Sequence, residues 1–174
     1  LFIFFLTILV IAAKQPKGKR IWHLILLNLP IIGKIIKKIN LARFTRTLSS
    51  LLSTDVPIIK SFEITAEVLG NVHYKAVALG ASEEIKKGVS ISETLSTHGK
   101  LFSPLVLQMV SVGEKSGTLD SLLKELAIFF EGEVDETLKG LSTIIEPLLI
   151  LVLGGTVGGI AVSIMAPIYS LTQS

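Results

Sequence analysis

The sequence has no cysteine and a single tryptophan among its 174 residues. Without cysteine the chain can hold no disulfide, no thiolate-bound metal and no cysteine nucleophile. Acidic residues are missing from the front of the chain, where no Asp or Glu precedes Asp55. Apolar residues are abundant instead, at 49% of the chain with a mean hydropathy of +0.67. This composition is too apolar for an ordinary soluble domain of that length and favours a membrane component.

The chain opens on the uncharged run LFIFFLTILVIAA, residues 1–13. At ~1.5 Å per residue this run covers about 20 Å of a hydrocarbon core that is about 30 Å thick. We therefore predict the end of a transmembrane helix, in a chain that continues a longer protein. The next charged residues are all basic: Lys14, Lys17, Lys19 and Arg20. By the positive-inside rule this exit is cytoplasmic, whereas a cleaved signal peptide would need a basic region before Leu1.

A second uncharged run covers residues 147–168 and is long enough to cross a membrane. We place Glu146 at the membrane boundary, because a carboxylate at the bilayer centre is costly, and Pro147 at a helix start or a bend. The predicted division of the chain is as follows: a transmembrane end at 1–13, a basic juxtamembrane and interfacial segment at 14–33, a helical cytoplasmic domain at 34–141, a transmembrane helix at 142–168 and a non-cytoplasmic tail at 169–174.

Between the two apolar runs, hydrophobic residues recur at helical spacing with no sustained period-2 alternation. This pattern predicts an all-α fold, a six-helix antiparallel cytoplasmic bundle flanked by transmembrane helices. Pro57 is expected to start the second helix, and Gly70-Asn71 to end it in the left-handed conformation. Gly88 should close the third helix. Ser90 and Glu93 have the spacing of a capping box for the fourth.

The fifth helix is predicted to run from Pro104 to about Gly113 and to end in a structural turn, GEKSG, at residues 113–117. A longer sixth helix should begin at Thr118. Its apolar residues are spaced by three or four, so it can continue unbroken into the second apolar run.

These pieces, in this order, resemble the F-domain platform proteins of type II secretion and type IV pilus machines. The resemblance spans nearly the whole chain and rests on the following pieces: Leu29-Pro30, Gly33, Arg43-Phe44, Val56-Pro57, Gly70-Asn71, Gly88 with Ser90, Phe102-Ser103-Pro104, GEKSG with Leu119, and Glu146-Pro147 with Pro167. Asp55 departs from the glycine often found there, but Asp also tolerates left-handed geometry. The family generally has an earlier cytoplasmic domain and another membrane pass, and neither is within this sequence.

The resemblance implies a non-enzymatic inner-membrane platform that couples a cytoplasmic hexameric ATPase to the assembly of pilin or pseudopilin. It implies no cofactor, and it implies these partners: the assembly ATPase, the pilin or pseudopilin, other inner-membrane components of the machine, the lipid bilayer and further copies of the chain. The expected location is a bacterial, or archaeal, cytoplasmic membrane crossed more than once, with residues 14–141 cytoplasmic. The basic segment from Lys14 to Arg46 fits orientation and anionic lipid rather than nucleic acid.

The GEKSGT sequence invites comparison with a phosphate-binding loop, which needs a glycine directly before its lysine. Here Glu114 stands in that place, and its carboxylate would repel phosphate. A structural turn is favoured, in which Gly113 and Gly117 permit positive φ and Glu114 bonds to backbone N–H groups. Contact of Glu114 with a partner stays open.

His23, His73 and His98 lie far apart in the sequence, and none has a second ligand at metal-binding helical spacing. We therefore predict no metal site. We also find no nucleophile elbow, zinc-protease helix or paired acid and base, so a catalytic site is not predicted.

Two surfaces have both a structural and a functional interpretation. The four glycines of the second apolar run form overlapping GxxxG patterns, which favour helix packing over simple flexibility: Gly154, Gly155, Gly158 and Gly159. Four carboxylates between residues 131 and 136 form either a solvated face or a docking surface for a basic partner: Glu131, Glu133, Asp135 and Glu136.

Two alternatives come from other classes of protein. A subunit of a transporter or channel would use Glu146 as an intramembrane carboxylate, but it would usually need more spans and a polar partner in residues 1–13, where only Thr7 is available. A membrane-anchored enzyme would need a polar cleft that the sequence does not indicate.

Overall fold

The computed structural model describes residues 23–27, 29 and 32–172. All regular secondary structure in this part of the chain is helical, which confirms the all-α prediction. A single helical turn at residues 23–27 comes first. Six helices follow: α1 (Ile32–Leu52), α2 (Ile58–Val68), α3 (Val72–Lys86), α4 (Ile91–Ser96), α5 (Pro104–Ser116) and α6 (Leu119–Thr172). The predicted transmembrane end at residues 1–13 lies outside the described residues, as does most of the 14–33 segment.

The turn between α1 and α2 depends on two residues with restricted backbones. Among the residues that the structure describes, Asp55 is the only non-glycine residue with a positive φ, which is 59°. A short polar side chain tolerates this left-handed conformation, so the turn survives without glycine. Pro57 precedes the first residue of α2 with φ −52 and ψ 138. Its fixed φ and missing N–H suit a helix start, where that donor would have no helical partner.

The turn between α2 and α3 differs from its prediction. We expected Gly70-Asn71 to end α2 in the left-handed conformation. Instead α2 ends at Val68, and neither Gly70 nor Asn71 has a positive φ. Asn71 starts the next helix instead, since its side chain accepts a hydrogen bond from the His73 N–H at 2.9 Å. Asparagine serves at either end of a helix, and here the free N–H groups of α3 decide its role.

The turns around α4 follow the predicted pattern. Gly88 has φ 87 just beyond the end of α3, a conformation that costs glycine little. The Ser90 hydroxyl accepts a hydrogen bond from the Glu93 N–H at 3.2 Å, which is one of the two bonds of a capping box.

The end of α5 was predicted wrongly. The helix continues past Gly113 through Ser116, and Gly117 forms its C-cap with φ 72. Four of the five GEKSG residues extend the helix, because Glu, Lys and Ser all tolerate it and Gly113 costs only its conformational entropy. The interhelix turn is therefore limited to Gly117 and Thr118.

An aromatic cluster lies at the centre of the hydrophobic core. Phe44 of α1 is fully buried and packs edge-on against Phe102 and Phe62, with ring centroids 5.2 and 5.9 Å apart. Such edge-to-face pairs add to the free energy gained by burying their apolar surface. Helix α6 contributes its first apolar stripe to the same core: Leu123, Leu126 and Phe130.

The chain divides into two compact units, residues 1–134 and 135–174. The second unit consists of the continuing α6, which passes Pro147 and reaches Thr172 without ending. Over the residues that are described, we find no helix that combines the length and the apolar character needed to span a membrane.

Candidate functional site

The junction between α5 and α6 is built around Gly113 and Gly117. A Cβ atom at Gly113 would lie 2.8 Å from the Cα of Leu119, so only glycine allows the first residue of α6 to come this close. The Gly113 carbonyl accepts hydrogen bonds from the Gly117 N–H and, at 3.0 Å, from the Thr118 N–H. Of the two glycines predicted to permit positive φ, Gly117 adopts it, while Gly113 is needed for the close approach instead.

Glu114 binds the start of α4. Its carboxylate accepts hydrogen bonds from the Ile91 N–H at 2.6 Å, the Ser92 N–H at 3.1 Å and the Ser92 hydroxyl at 3.0 Å. The first N–H groups of a helix have no helical acceptors and carry partial positive charge, so a carboxylate there stabilises the helix. Glu114 thus attaches α5 to α4, more than twenty residues earlier in the chain.

The GEKSGT sequence does not form a phosphate-binding loop. Its first four residues are the last turn of α5, and the backbone N–H groups that bind the Glu114 carboxylate belong to α4. A phosphate loop instead presents its own N–H groups around a bound anion at the start of a helix. The sequence therefore serves here as the end of one helix and the cap of another.

The turns at Asp55 and at Gly113–Gly117 meet at one cavity of about 540 Å³. Its apolar walls include Leu52, Ile58 and Ile91, and its polar rim includes Asp55, Glu114 and Asp120. The structure thus brings together two of the turns singled out in the sequence. Pro57 and Gly88, which were also singled out in the sequence, do not line this cavity.

Two of the four residues of the predicted acidic surface are engaged within the chain. Glu131 accepts two hydrogen bonds from the Arg46 guanidinium, the one from Nε at 2.7 Å, and the Lys38 ammonium lies 2.6 Å from Glu133. The hydrogen bonds from Arg46 hold the pKa of Glu131 below its usual value, and the same pairing raises the pKa of Arg46. These pairs join α1 to α6, so the acidic surface has a structural part.

The remaining two carboxylates, Asp135 and Glu136, are exposed and belong to the second unit. They are the part of the acidic surface that the structure leaves on the outside of the chain, and they remain candidates for docking a basic partner.

The glycines of the second unit lie along exposed α6. A Cβ atom built at any of the four, Gly154, Gly155, Gly158 or Gly159, meets no heavy atom within 4 Å in the described chain. The predicted helix packing at these glycines stays a prediction. The side chain of Glu146 lies outside the described part.

The sequence reasoning missed three polar residues that hold the front of the domain. The His23 Nδ1 atom accepts a hydrogen bond from the Val72 N–H at 3.1 Å, and Asn40 Oδ1 accepts one from the Asn71 N–H at 3.2 Å. The Tyr74 hydroxyl donates to the Leu101 carbonyl at 2.6 Å, and burial raises the pKa of Tyr74. No local signal in the sequence pointed to these contacts, because each of them joins residues at least 27 positions apart.

No group of three or more His, Cys, Asp or Glu side chains in the described part of the chain is arranged to hold a metal ion. The rim of the 540 Å³ cavity is carboxylate-rich, but Glu114 already accepts three hydrogen bonds from α4. The hydrogen bonds at this cavity therefore hold α4 and α5 together.

The fold and this junction define a helical domain whose buried polar contacts fasten its helices together. Comparison with known sequences gives the particular family. Residues 44–167 match the family described as type II secretion system (T2SS), protein F, and the chain belongs to this family.

Curated relatives agree with this assignment. The chain is 37% identical over 158 residues to the type IV pilus assembly protein PilC of Myxococcus xanthus, covering 91% of this chain and 38% of that protein. It is 38% identical over 156 residues to PilC of Thermus thermophilus, covering 90% and 38%. It is 36% identical over 159 residues to the type II secretion system protein F of Aeromonas hydrophila, covering 91% and 41%. The chain spans about two fifths of the length of these relatives.

Proposed function

We propose that this chain is a non-enzymatic part of the inner-membrane platform of a type II secretion or type IV pilus machine. In this role it couples a cytoplasmic hexameric ATPase to the assembly of pilin or pseudopilin. Membership of the protein F family supports the platform role, and the relatives bear the names of both machines. Residues 14–141 lie on the cytoplasmic side, and the apolar run that begins near Pro147 lies in the membrane.

The observation that carries the proposal is the length of α6. Its first stripe, Leu123, Leu126 and Phe130, is buried in the domain core, and the same helix continues without a break to Thr172. Between Phe130 and Pro147 no proline interrupts α6, so backbone hydrogen bonds hold the turns of this part of the helix. A displacement of the domain by the ATPase would therefore be carried along α6 to the membrane-held subunits.

Glycines placed in α6 should uncouple the two ends. Changing Leu138 and Lys139 to glycine creates three successive glycines with Gly140, each costing about 1 kcal/mol of helix stability relative to alanine. We expect the complete protein with these changes to lose fibre or pseudopilus assembly in cells that lack their own copy. Binding to the ATPase, measured by co-purification, should be retained.

The matched control replaces Leu138, Lys139 and Gly140 with alanine. It removes the same side chains while favouring the helix, so assembly should persist. Equal assembly by the glycine and alanine variants would show that continuity of α6 is not used for coupling.

The acidic surface offers a test of the docking partner. Single cysteines at Asp135 and Glu136 would be introduced into a chain that has none of its own. Both positions are exposed, and their carboxylates would attract a basic surface. We expect crosslinking in membranes to capture the assembly ATPase at these positions.

Glu67 supplies the control position, because it is an exposed carboxylate on a different helix, α2. Capture of the ATPase at Glu67 as strong as at Asp135 would contradict a docking role for the acidic surface. Absence of capture at all three positions, in membranes where the ATPase and the pilin are both present, would contradict it as well.

A further inference from the structure

A second cavity, of about 470 Å³, lies between the helical turn at residues 23–27, helix α3 and the connection from α4 to α5. Its apolar walls are formed by Leu24, Leu27, Val77 and Leu101. Its volume is within the range of small-molecule sites, and its lining combines these apolar side chains with polar ones such as His98 and Lys100. No part of the proposed function uses this groove.

Hydrogen bonds hold both walls of the groove in place. The His23 side chain accepts from the Val72 N–H at 3.1 Å, which attaches the first wall to the start of α3. On the other side, Tyr74 of α3 donates to the Leu101 carbonyl at 2.6 Å, which attaches the connection from α4 to α5, the second of these walls, to the same helix. The groove is therefore pre-formed, and a ligand would bind without first ordering these segments.

The groove continues into an apolar surface that the protein leaves exposed. Leu24 lines the groove and is itself 49% exposed, and three more large apolar side chains that follow it in sequence are 39–50% exposed: Ile25, Leu29 and Ile32. Soluble surfaces rarely collect so many large apolar side chains in one short segment, and such patches mark contacts with protein or membrane. An acyl chain could pass from this exposed surface into the groove along Leu24, which belongs to both.

The charges near the groove favour an anionic headgroup. Lys100 lines it, with His98 beside it, and no carboxylate is among the lining residues. All charged residues that precede Asp55 in the sequence are basic. One of them, Lys34, is exposed and lies next to the apolar surface in sequence. Glu84 and Glu93 line an adjoining cavity that shares Val77, Thr97 and His98 with the groove, and neither carboxylate lines the groove itself. Lysines at a membrane surface attract anionic headgroups, and they give no comparable attraction for a lipid without net charge.

We propose that this groove binds an anionic phospholipid of the bilayer surface, with its phosphate at Lys100 and an acyl chain along Leu24, Leu27 and Val77. The proposal rests on the membrane location stated under the proposed function. It adds a lipid-specific contact by which the cytoplasmic domain lies against the membrane.

The test measures lipid binding to the purified full chain in neutral detergent. Phosphatidylglycerol carrying a fluorescent acyl chain would be titrated alongside phosphatidylcholine with the same acyl chains. We expect tighter binding of phosphatidylglycerol. Lys100→Gln should weaken it about fivefold with little effect on phosphatidylcholine, since one lysine near a headgroup contributes about that factor. Ala76→Trp should weaken both lipids, because Ala76 is exposed and lines the groove.

Two matched controls should leave binding unchanged. Lys115→Gln removes an exposed lysine elsewhere, and Leu79→Trp places a tryptophan at an exposed position of α3 that does not line the groove. Equal binding of the two lipids, or no effect of Lys100→Gln and Ala76→Trp, would overturn the proposal. So would complete displacement by glycerol phosphate, which would indicate a small-anion site, or a change of oligomeric state with Ala76→Trp, which would indicate a second copy in the groove.

The two proposals fail in different ways. If the chain enters lipid nanodiscs but shows no preference for phosphatidylglycerol, only the lipid site is wrong. If it does not enter nanodiscs at all, the membrane location that underlies both proposals is wrong.

Discussion

Glu114→Ala should destabilise the domain by about 2 kcal/mol, since hydrogen bonds to a charged acceptor each contribute roughly 1.5–3 kcal/mol and some of the loss is recovered by water. The carboxylate accepts three hydrogen bonds, two of them from the Ile91 and Ser92 N–H groups at the start of α4. Helix α4 spans only Ile91–Ser96, so it has little stability of its own to compensate. Thermal unfolding of the chain in neutral detergent, followed by circular dichroism, should show a lower Tm.

Hydrogen exchange would locate the effect. The amides of Ile91 and Ser92 should exchange faster in the Glu114→Ala variant, while those of the aromatic core change only with global stability. Glu125→Ala is the control, because Glu125 is an exposed glutamate within a helix. If both variants have the same Tm and the same exchange at α4, the three hydrogen bonds of Glu114 do not stabilise the fold.

Gly113→Ala should also destabilise the domain, by roughly 1–2 kcal/mol, because overpacking outweighs the gain in helix propensity. The new Cβ atom would lie 2.8 Å from Cα and 3.3 Å from N of Leu119, so the backbone at the start of α6 would have to move. A flexible side chain could turn aside from such a contact, but a backbone atom cannot. The Tm of the same detergent preparation measures the change.

Gly132→Ala provides a control of opposite sign. Gly132 lies on the exposed face of α6, and a Cβ atom there meets no heavy atom within 4 Å. This substitution should stabilise the chain by about 0.5–1 kcal/mol, the usual advantage of alanine over glycine in a helix. A stabilising Gly113→Ala variant would contradict the close approach of α5 and α6.

Much of the local structure was predictable because it depends on neighbouring residues. The left-handed residue at Gly88, the proline that precedes α2 and the Ser90 cap of α4 follow from backbone restrictions and side-chain reach over three or four positions. The apolar spacing at the start of α6 likewise predicted a helix with one apolar face, and Leu123 and Leu126 of that helix are buried in the core.

The junction at GEKSG was harder to predict because its outcome depends on distant atoms. Glycine at position 113 could permit positive φ or a close approach, and nothing nearby in the sequence decides between them. Leu119 decides it by packing against the glycine. The division of the acidic surface was equally hidden, since Arg46 lies 85 residues before Glu131.

By itself the sequence determined the all-α class, the positions of most turns and the family resemblance, since these depend on composition, periodicity and short-range backbone preferences. Only the tertiary structure decided that Glu114 caps α4, that Glu131 and Glu133 pair with α1, and that residues 23–27 form the wall of a groove with α3. These contacts join segments that are far apart in the chain, and a side chain's partner is chosen by which segments the folded core brings within hydrogen-bonding distance.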